Sequence, residues 1–268
     1  MIPPLCLDPP KGARVLDMCA APGGKTFMLL EAVRHEGLVI ANDLDRERLT
    51  RLVKAARNLV PHGMASALEL RIGDGRKFHL QNPDTTPENT PPTEPSDPPP
   101  SWHIPSKHQG KPPPLRFPST RTIHQPFTHI LLDTPCTGTG TISLREPTTY
   151  KHWSSPTSLQ YLQKLTRTQK SLLQTGLSLL APSGTLVYST CAISVEENEQ
   201  VVSDVLEEFG EGKVEIVDVG APERGKAFGS GVGSYGGRRF VEGMERCLRV
   251  FPDGEYEGFF VCKLRKVG

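Results

Sequence analysis

Apolar positions along this chain recur with two alternating spacings, and their order predicts a fold. Val15-Leu16-Asp17-Met18 is a short apolar run that leads into small residues, which predicts a strand. From Lys25 to about Arg34, Phe27, Leu29, Leu30 and Val33 fall at helical spacing. Leu38-Val39-Ile40-Ala41 predicts a second strand, and Asp45 to Val60 a helix carrying Leu49, Leu52, Val53, Ala56 and Leu59 on one face. Ala67 to Ile72 predicts a third strand and Thr128 to Asp133 a fourth. A long helix follows over about Ser158 to Leu180, then a turn at Gly184 and a fifth strand over Thr185 to Ser189. The pattern continues with a helix from Val195 to Phe209, whose first turn would hold Glu196 and Glu197 where the helix dipole favours negative charge. It ends with a strand over Val214 to Val219, a glycine-rich loop over residues 220–240, and a closing hairpin of Cys247 to Phe251 with Gly258 to Leu264. Strands that alternate with helices argue for an α/β fold: a mostly parallel sheet covered on both faces, closed by a C-terminal antiparallel hairpin. No internal repeat is visible.

One stretch breaks the pattern. Fourteen of the 26 prolines lie between Pro83 and Pro126. Proline removes backbone donors and forbids helix interiors, and few apolar residues stand nearby to offset the entropy of ordering. A disordered insertion at about residues 80–126, interrupting a single domain, is the expectation.

Composition narrows the classes. The 268 residues carry a formal net charge of +1, so any nucleic-acid surface must be a local patch rather than a global field. No run of about 18 apolar residues occurs, and no membrane association is expected. The first residues lack the basic-then-apolar pattern of a signal peptide. The six cysteines form no C-x-x-C pair, which argues against a metal site and for free thiols in a reducing, intracellular setting.

The segment Leu16 to Thr26 runs from a strand through small and glycine residues into a helix, an arrangement that lets a ligand approach the backbone at the carboxyl edge of a sheet. It matches neither a phosphate loop nor G-x-G-x-x-G. Asp43 ends the second strand and is placed to bind ribose hydroxyls; Asp74 follows the third, near an adenine; Asp133 ends the fourth, near an amino-acid ammonium. The plain alternative is that each aspartate caps the helix after it. Cys136 and Cys191 stand just past the fourth and fifth strands, on the edge where ligands bind, so both thiols face one pocket in this reading. The amino end of the helix expected near Val195 would lower the pKa of Cys191. For Cys6, Cys247 and Cys262 a packing role suffices.

Four strings together carry a resemblance: VLDMCAAPGGKT over residues 15–26, DTPCTG over 133–138, YSTC over 188–191 followed by ENE over 197–199, and the ending from Arg249 to Lys266 with Gly258-Phe259-Phe260. In this order they resemble the Sun/Nop (RsmB/NOP-type) family of RNA 5-methylcytosine methyltransferases, over nearly the whole chain outside the proline-rich segment. The resemblance implies a Rossmann-like class I methyltransferase fold, S-adenosyl-L-methionine as cofactor and transfer RNA or ribosomal RNA as partner. It implies a cofactor site of Cys19, Ala20, Ala21, Pro22, Gly23, Gly24, Lys25, Asp43, Arg48, Asp74 and Asp133. Cys191 would be the nucleophile, Cys136 would assist product release, and Asp133 would stabilise charge on the base. A loop over Thr137 to Lys151, with Arg145 and Trp153 nearby, is a candidate RNA contact. The chain begins almost at the first motif, so the family's usual N-terminal RNA-recognition region is expected to be absent. Thr137 stands where the family often has Ser, and Asp253 where it has His. Two other readings stand beside this one: a DNA cytosine methyltransferase using Cys136 as nucleophile, and a non-catalytic RNA- or cofactor-binding scaffold.

Overall fold

The computed structural model describes residues 1–81, 121–144, 157–220, 228–252 and 256–268. Five strands lie parallel: β1 (Arg14–Asp17), β2 (Leu38–Asp43), β3 (Leu68–Ile72), β6 (Phe127–Asp133) and β7 (Leu180–Thr190). β13 (Phe259–Lys266) joins β7 antiparallel, and β12 (Leu248–Val250) then β9 (Phe228–Ser230) extend that edge. The order is β3-β2-β1-β6-β7-β13-β12-β9, with β8 (Val214–Val217) also pairing β13. The C-terminal antiparallel hairpin expected from the sequence is the β12–β13 pair.

Alternation along the strands builds two cores. Val15, Val39, Ala41, Leu131 and Val187 face one layer with α2 (Gly24–Val33) and α3 (Arg46–Leu59). Leu16, Ile40, Ile130, Leu132, Leu186 and Tyr188 face the other, with α4 (Thr157–Leu179) and α5 (Glu199–Phe209). Such strands need apolar residues at successive positions because both faces are covered. The chain leaves β1 in one direction for β2 and β3, and places β6 on its other side. That reversal opens a crevice at the carboxyl ends of β1 and β6, the position where open α/β sheets bind ligands.

Five local differences from the sequence expectation have physical causes. A first helix, α1 (Ile2–Leu7), carries Pro3 and Pro4 in its first turn, where no intrahelical N–H is needed, and buries Cys6 and Leu7. The helix expected from Val195 begins only at Glu199, because side-chain bonds hold residues 195–198 in a turn: Thr190 Oγ1 donates to Asn198 Oδ1 (2.6 Å) and Asn198 Nδ2 to the Ala192 carbonyl (3.0 Å). β7 starts at Leu180 instead of Thr185 and takes Gly184 inside it, with Ser183 at φ 59° and a register shift against β6. The glycine-rich stretch 220–240 is not one loop: β9 pairs β12, and β10 (Ser234–Tyr235) pairs β11 (Arg238–Arg239) across Gly236-Gly237, both at positive φ as a two-residue hairpin turn requires. Finally, β4 (His79–Leu80) pairs β5 (Thr122–Ile123) in parallel, so structure runs into both ends of the expected insertion; residues 82–120 lie outside the described residues. Among the described residues no helix is long and apolar enough to cross a membrane.

Candidate active site

The glycine turn between β1 and α2 is tied to β2 by backbone and carboxylate bonds. Ala20 N donates to the Asn42 carbonyl (2.8 Å), Ala21 N to Asp43 Oδ2 (3.0 Å), and Gly23 N back to the Ala20 carbonyl (2.8 Å). Gly23 stands at φ 108°, left-handed backbone that favours glycine, and a Cβ there would lie 2.8 Å from Leu52. Arg48 from α3 donates to the Ala21 carbonyl. Asp43, buried, spends its other oxygen on Asp45 N (2.9 Å). In this structure Asp43 and Arg48 therefore shape the turn itself. Asn42 Nδ2 donates both to the Met18 carbonyl and to the Gly73 carbonyl, each at 3.1 Å, which ties the ends of β1 and β3 together.

Asp74 behaves as the helix-capping alternative describes. It accepts from Arg76 N (3.1 Å) at the start of a short turn, Gly75–Lys77, and pairs with the Arg76 guanidinium at 2.8 Å, which holds its carboxyl below the usual range. Asp133 is different: it bridges two parts of the site. One oxygen meets Lys25 Nζ at 2.6 Å, reaching the glycine turn, and the other accepts from Ser189 Oγ at 2.7 Å, two residues before Cys191.

The two thiols past β6 and β7 come together, with Cys136 Sγ 3.2 Å from Cys191 Sγ. Their loops are locked to each other and to β13: Gly140 N donates to the Cys191 carbonyl and Gly258 N to the Gly140 carbonyl, both at 2.8 Å. The Cys136 thiol is pushed far up by its hydrogen bond with Cys191, then by burial, with the Glu197 carboxylate adding to the effect. The helix end expected to act on Cys191 lies at Glu199, beyond the reach of a first-turn dipole effect. Cys19 sits half-buried under the turn, its thiol pushed well up by burial and then by Asp43, Asp17 and Asp133. Ala20, Ala21 and Gly23 are buried, Gly24 and Lys25 half-buried and Pro22 exposed. Arg145, Lys151 and Trp153, expected near RNA, lie outside the described residues.

Sequence reasoning missed three contributors. Asp17 is wholly buried beneath the turn, accepts from Thr26 Oγ1 (2.8 Å), and has its carboxyl pushed up to about 7, chiefly by burial. Glu197, expected in a helix first turn, is instead buried and accepts from Thr137 N (2.8 Å), Thr137 Oγ1 (2.5 Å), Gln169 Nε2 (3.1 Å) and Ser194 Oγ (2.9 Å). Gln169, on α4, also donates to the Pro135 carbonyl at 2.9 Å. The ENE string was the available signal for Glu197; its partners lie too far away in sequence to be read. Among the described residues no group of three or more His, Cys, Asp or Glu side chains is placed to hold a metal ion.

Comparison with known proteins follows the same lines. The family model described as 16S rRNA methyltransferase RsmB/F matches residues 4–84 and 115–265. A relative from Pyrococcus abyssi named tRNA (cytosine(49)-C(5))-methyltransferase is 29% identical over 267 residues, which cover 99% of this chain and 68% of the relative. The mouse protein named 28S rRNA (cytosine-C(5))-methyltransferase is 30% identical over 272 residues, covering 99% of this chain but 27% of its own length. The crystal structure of NSun6 from Pyrococcus horikoshii with SFG superposes with a TM-score of 0.64 at 25% identity, over 100% of this chain and 51% of that one. The fold is thus the Rossmann-like, mostly parallel sheet of methyltransferases.

Proposed function

The chain belongs to the 16S rRNA methyltransferase RsmB/F family, and on that premise we propose that it methylates carbon 5 of a cytosine in transfer or ribosomal RNA, with Cys191 as the nucleophile. The observation that carries the reading is the pair of thiols, 3.2 Å apart, joined through Ser189, Asp133 and Lys25 to the glycine turn.

The residues of the turn suit S-adenosyl-L-methionine. Asp43 and Asp133 stand at strand ends flanking a glycine turn, and two buried oxygens beneath it, Asp17 Oδ1 and Asn42 Oδ1, have no hydrogen-bond partner among the described residues. Acceptors at a switch point fit a ligand that is cationic and rich in hydroxyl donors. Cys19 to Lys25, with Asp43, Arg48, Asp74 and Asp133, would hold it, and when bound it supplies an electrophilic methyl group.

Carbon 5 of cytosine is a poor nucleophile. The Cys191 thiolate adds to carbon 6, forming an S–C bond as the carbon 5–carbon 6 double-bond pair shifts into the ring and leaves carbon 5 enamine-like, which is what an electrophilic methyl group would require of it. Asp133 faces the base and stabilises the charge that shifts onto the ring nitrogens. Cys136 lies beside Cys191 and, as a thiol, gives its proton to the departing Cys191 sulfur, while solvent takes the carbon-5 proton and the electron pair of that C–H bond restores the ring double bond. The target base must leave its stack to reach this crevice, and the half-exposed rings of Phe251 and Tyr256 at the same sheet edge offer stacking partners.

The test uses labelled methyl donor with transfer RNA, ribosomal RNA and DNA as separate substrates. Cys191→Ala is expected to abolish transfer, and Cys136→Ala to accumulate a denaturation-resistant RNA–protein adduct. A wild-type adduct formed through Cys136, or transfer to DNA in preference to RNA, overturns the assignment.

A further inference from the structure

The two thiols stand close past neighbouring strand ends, Cys136 three residues after β6 and Cys191 one after β7, and something must make one the nucleophile and the other its partner. Glu197 is the buried group that distinguishes them. Its side chain has no exposure, and both carboxylate oxygens are used: Oε1 by Thr137 N and Gln169 Nε2, Oε2 by Thr137 Oγ1 and Ser194 Oγ. A buried carboxylate this fully bonded is held in place by its surroundings, and the loss of one partner is costly. Its own backbone is pinned as well, since Tyr188 Oη donates to the Glu197 carbonyl at 2.6 Å.

The donors come from three separate places. Thr137 adjoins Cys136, Ser194 lies on the loop leaving Cys191, and Gln169 lies on α4 and also holds the Pro135 carbonyl. A single carboxylate therefore clamps Thr137 on one side of Cys136 and the loop after Cys191 directly, and Pro135 on the other side through Gln169. Resting on the proposed function above, we infer that Glu197 is a positioning residue: it fixes the Cys136 loop against Cys191 and keeps Cys136 a proton-carrying thiol, so that the roles of the two sulfurs do not interchange. The Cys136 thiol is pushed up first by its hydrogen bond with Cys191 and by burial, and the Glu197 charge adds to that displacement and so opposes thiolate there. The sequence pattern alone assigns Glu197 to a helix turn and no role in the chemistry.

The experiment compares the full chain with Glu197→Gln, Thr137→Val and Thr137→Ser. Without RNA, each thiol is alkylated by iodoacetamide across pH and quantified by mass spectrometry. Removing a neighbouring charge moves a thiol by one unit or more, so Glu197→Gln is expected to speed alkylation of Cys136 by about tenfold at pH 8, with Cys191 changed far less. Thr137→Val, which loosens the clamp, moves Cys136 in the same direction, and Thr137→Ser, which keeps both donors, retains the wild-type profile. During turnover on RNA, Glu197→Gln is expected to lower kcat by tenfold or more with KM unchanged and to raise the fraction of enzyme trapped as RNA adduct. If Glu197→Gln does not fold, Thr137→Val carries the same measurements. A folded variant of either kind with the wild-type alkylation profile and adduct fraction overturns the inference. Absence of methyl transfer by the wild-type chain would instead sink the proposed function, and the RNA-free alkylation would still decide on Glu197.

Discussion

Gly140 joins the two thiol loops to the last strand, and replacing it by alanine tests that junction. A Cβ at this position would lie 2.1 Å from the Gly258 carbonyl oxygen, 2.5 Å from its carbon and 2.8 Å from its Cα. All three atoms are backbone, so no side chain can rotate away; one of the two strands of chain must move by about an ångström to restore ordinary contact. That movement pulls on two bonds of 2.8 Å, Gly140 N to the Cys191 carbonyl and Gly258 N to the Gly140 carbonyl. A buried backbone group left without a partner costs about 1–3 kcal/mol, so losing both bonds costs roughly 2–6 kcal/mol. This is a large part of the 5–15 kcal/mol that separates a typical folded domain from its unfolded chain. At about 2–4 °C per kcal/mol for a chain of this size, Gly140→Ala should melt at least about 4 °C below wild type. Gly63→Ala is the control, because a Cβ there meets nothing within 4 Å, and it should stay within about 0.5 kcal/mol. Urea unfolding gives the free energies, and the rate at which diamide joins Cys136 to Cys191 reports whether the sulfurs keep their 3.2 Å separation. If Gly140→Ala matches Gly63→Ala in stability and the wild type in oxidation rate, the close packing of the Thr139–Thr141 turn against Gly258 is wrong, and with it the account of what aligns the thiols.

Three further outcomes follow from buried charge. Arg249 and Glu199 form a two-pronged ion pair with 5% and 0% side-chain exposure; Arg249→Met, which strands the carboxylate, should cost about 3–5 kcal/mol in urea unfolding, while the double replacement Arg249→Met with Glu199→Leu recovers most of it. Asp17 has its carboxyl pushed from 3.8 up to about 7 in the fold. The native state thus holds a proton that the unfolded chain has released, and the stability this contributes is complete below about pH 4 and is lost as pH rises to about 7. The loss amounts to roughly 4 kcal/mol at most; unfolding midpoints between pH 4.5 and 7.5 should show a steeper decline for wild type than for Asp17→Asn, and parallel declines would contradict the burial of that carboxyl. Asp43→Ala removes the acceptor of Ala21 N and Asp45 N; calorimetric titration with S-adenosyl-L-methionine should show affinity reduced tenfold or more, with unaltered affinity arguing that the glycine turn holds its shape unaided.

What the residues announced on their own was the scaffold of the crevice. Strands such as Val39-Ile40-Ala41 are legible because burial on both faces demands apolar side chains at every position, and α3 because one stripe alone, Leu49, Leu52, Val53 and Ala56, must be buried. The glycine turn is legible for a covalent reason, since left-handed backbone at Gly23 favours a residue without a Cβ. The elements misread are those in which side chains outcompete local preference. Residues 195–198 have helical spacing, but Thr190 and Asn198 supply alternative partners to that backbone. The glycine richness of 220–240 suggests one loop, where Gly236 and Gly237 make a hairpin turn between β10 and β11.

The site divides along the same line. A thiol at a strand end can be read locally, because the topology of a parallel sheet carries every such position to one edge. The function of a charged side chain there depends on which neighbours claim it first. Three aspartates look alike in sequence, each at or near a strand end, yet they separate by partner: Asp74 is taken by Arg76 two positions on, Asp43 by Ala21 N of the turn and by Asp45 N, and Asp133 by Lys25 and Ser189 from opposite sides of the crevice. The longest separation grows in step: 2 residues for Asp74, 22 for Asp43, whose other partner is 2 away, and 108 and 56 for Asp133. Only the last aspartate joins the glycine turn to the strand that carries Cys191. A carboxylate bridging two segments so distant in sequence is fixed by the assembled sheet rather than by its own neighbourhood, as is Glu197, whose main partner Thr137 lies 60 residues away. The chemistry expected here therefore rests on two kinds of residue: sulfurs whose place follows from the order of the strands, and carboxylates whose roles appear only once those strands have met.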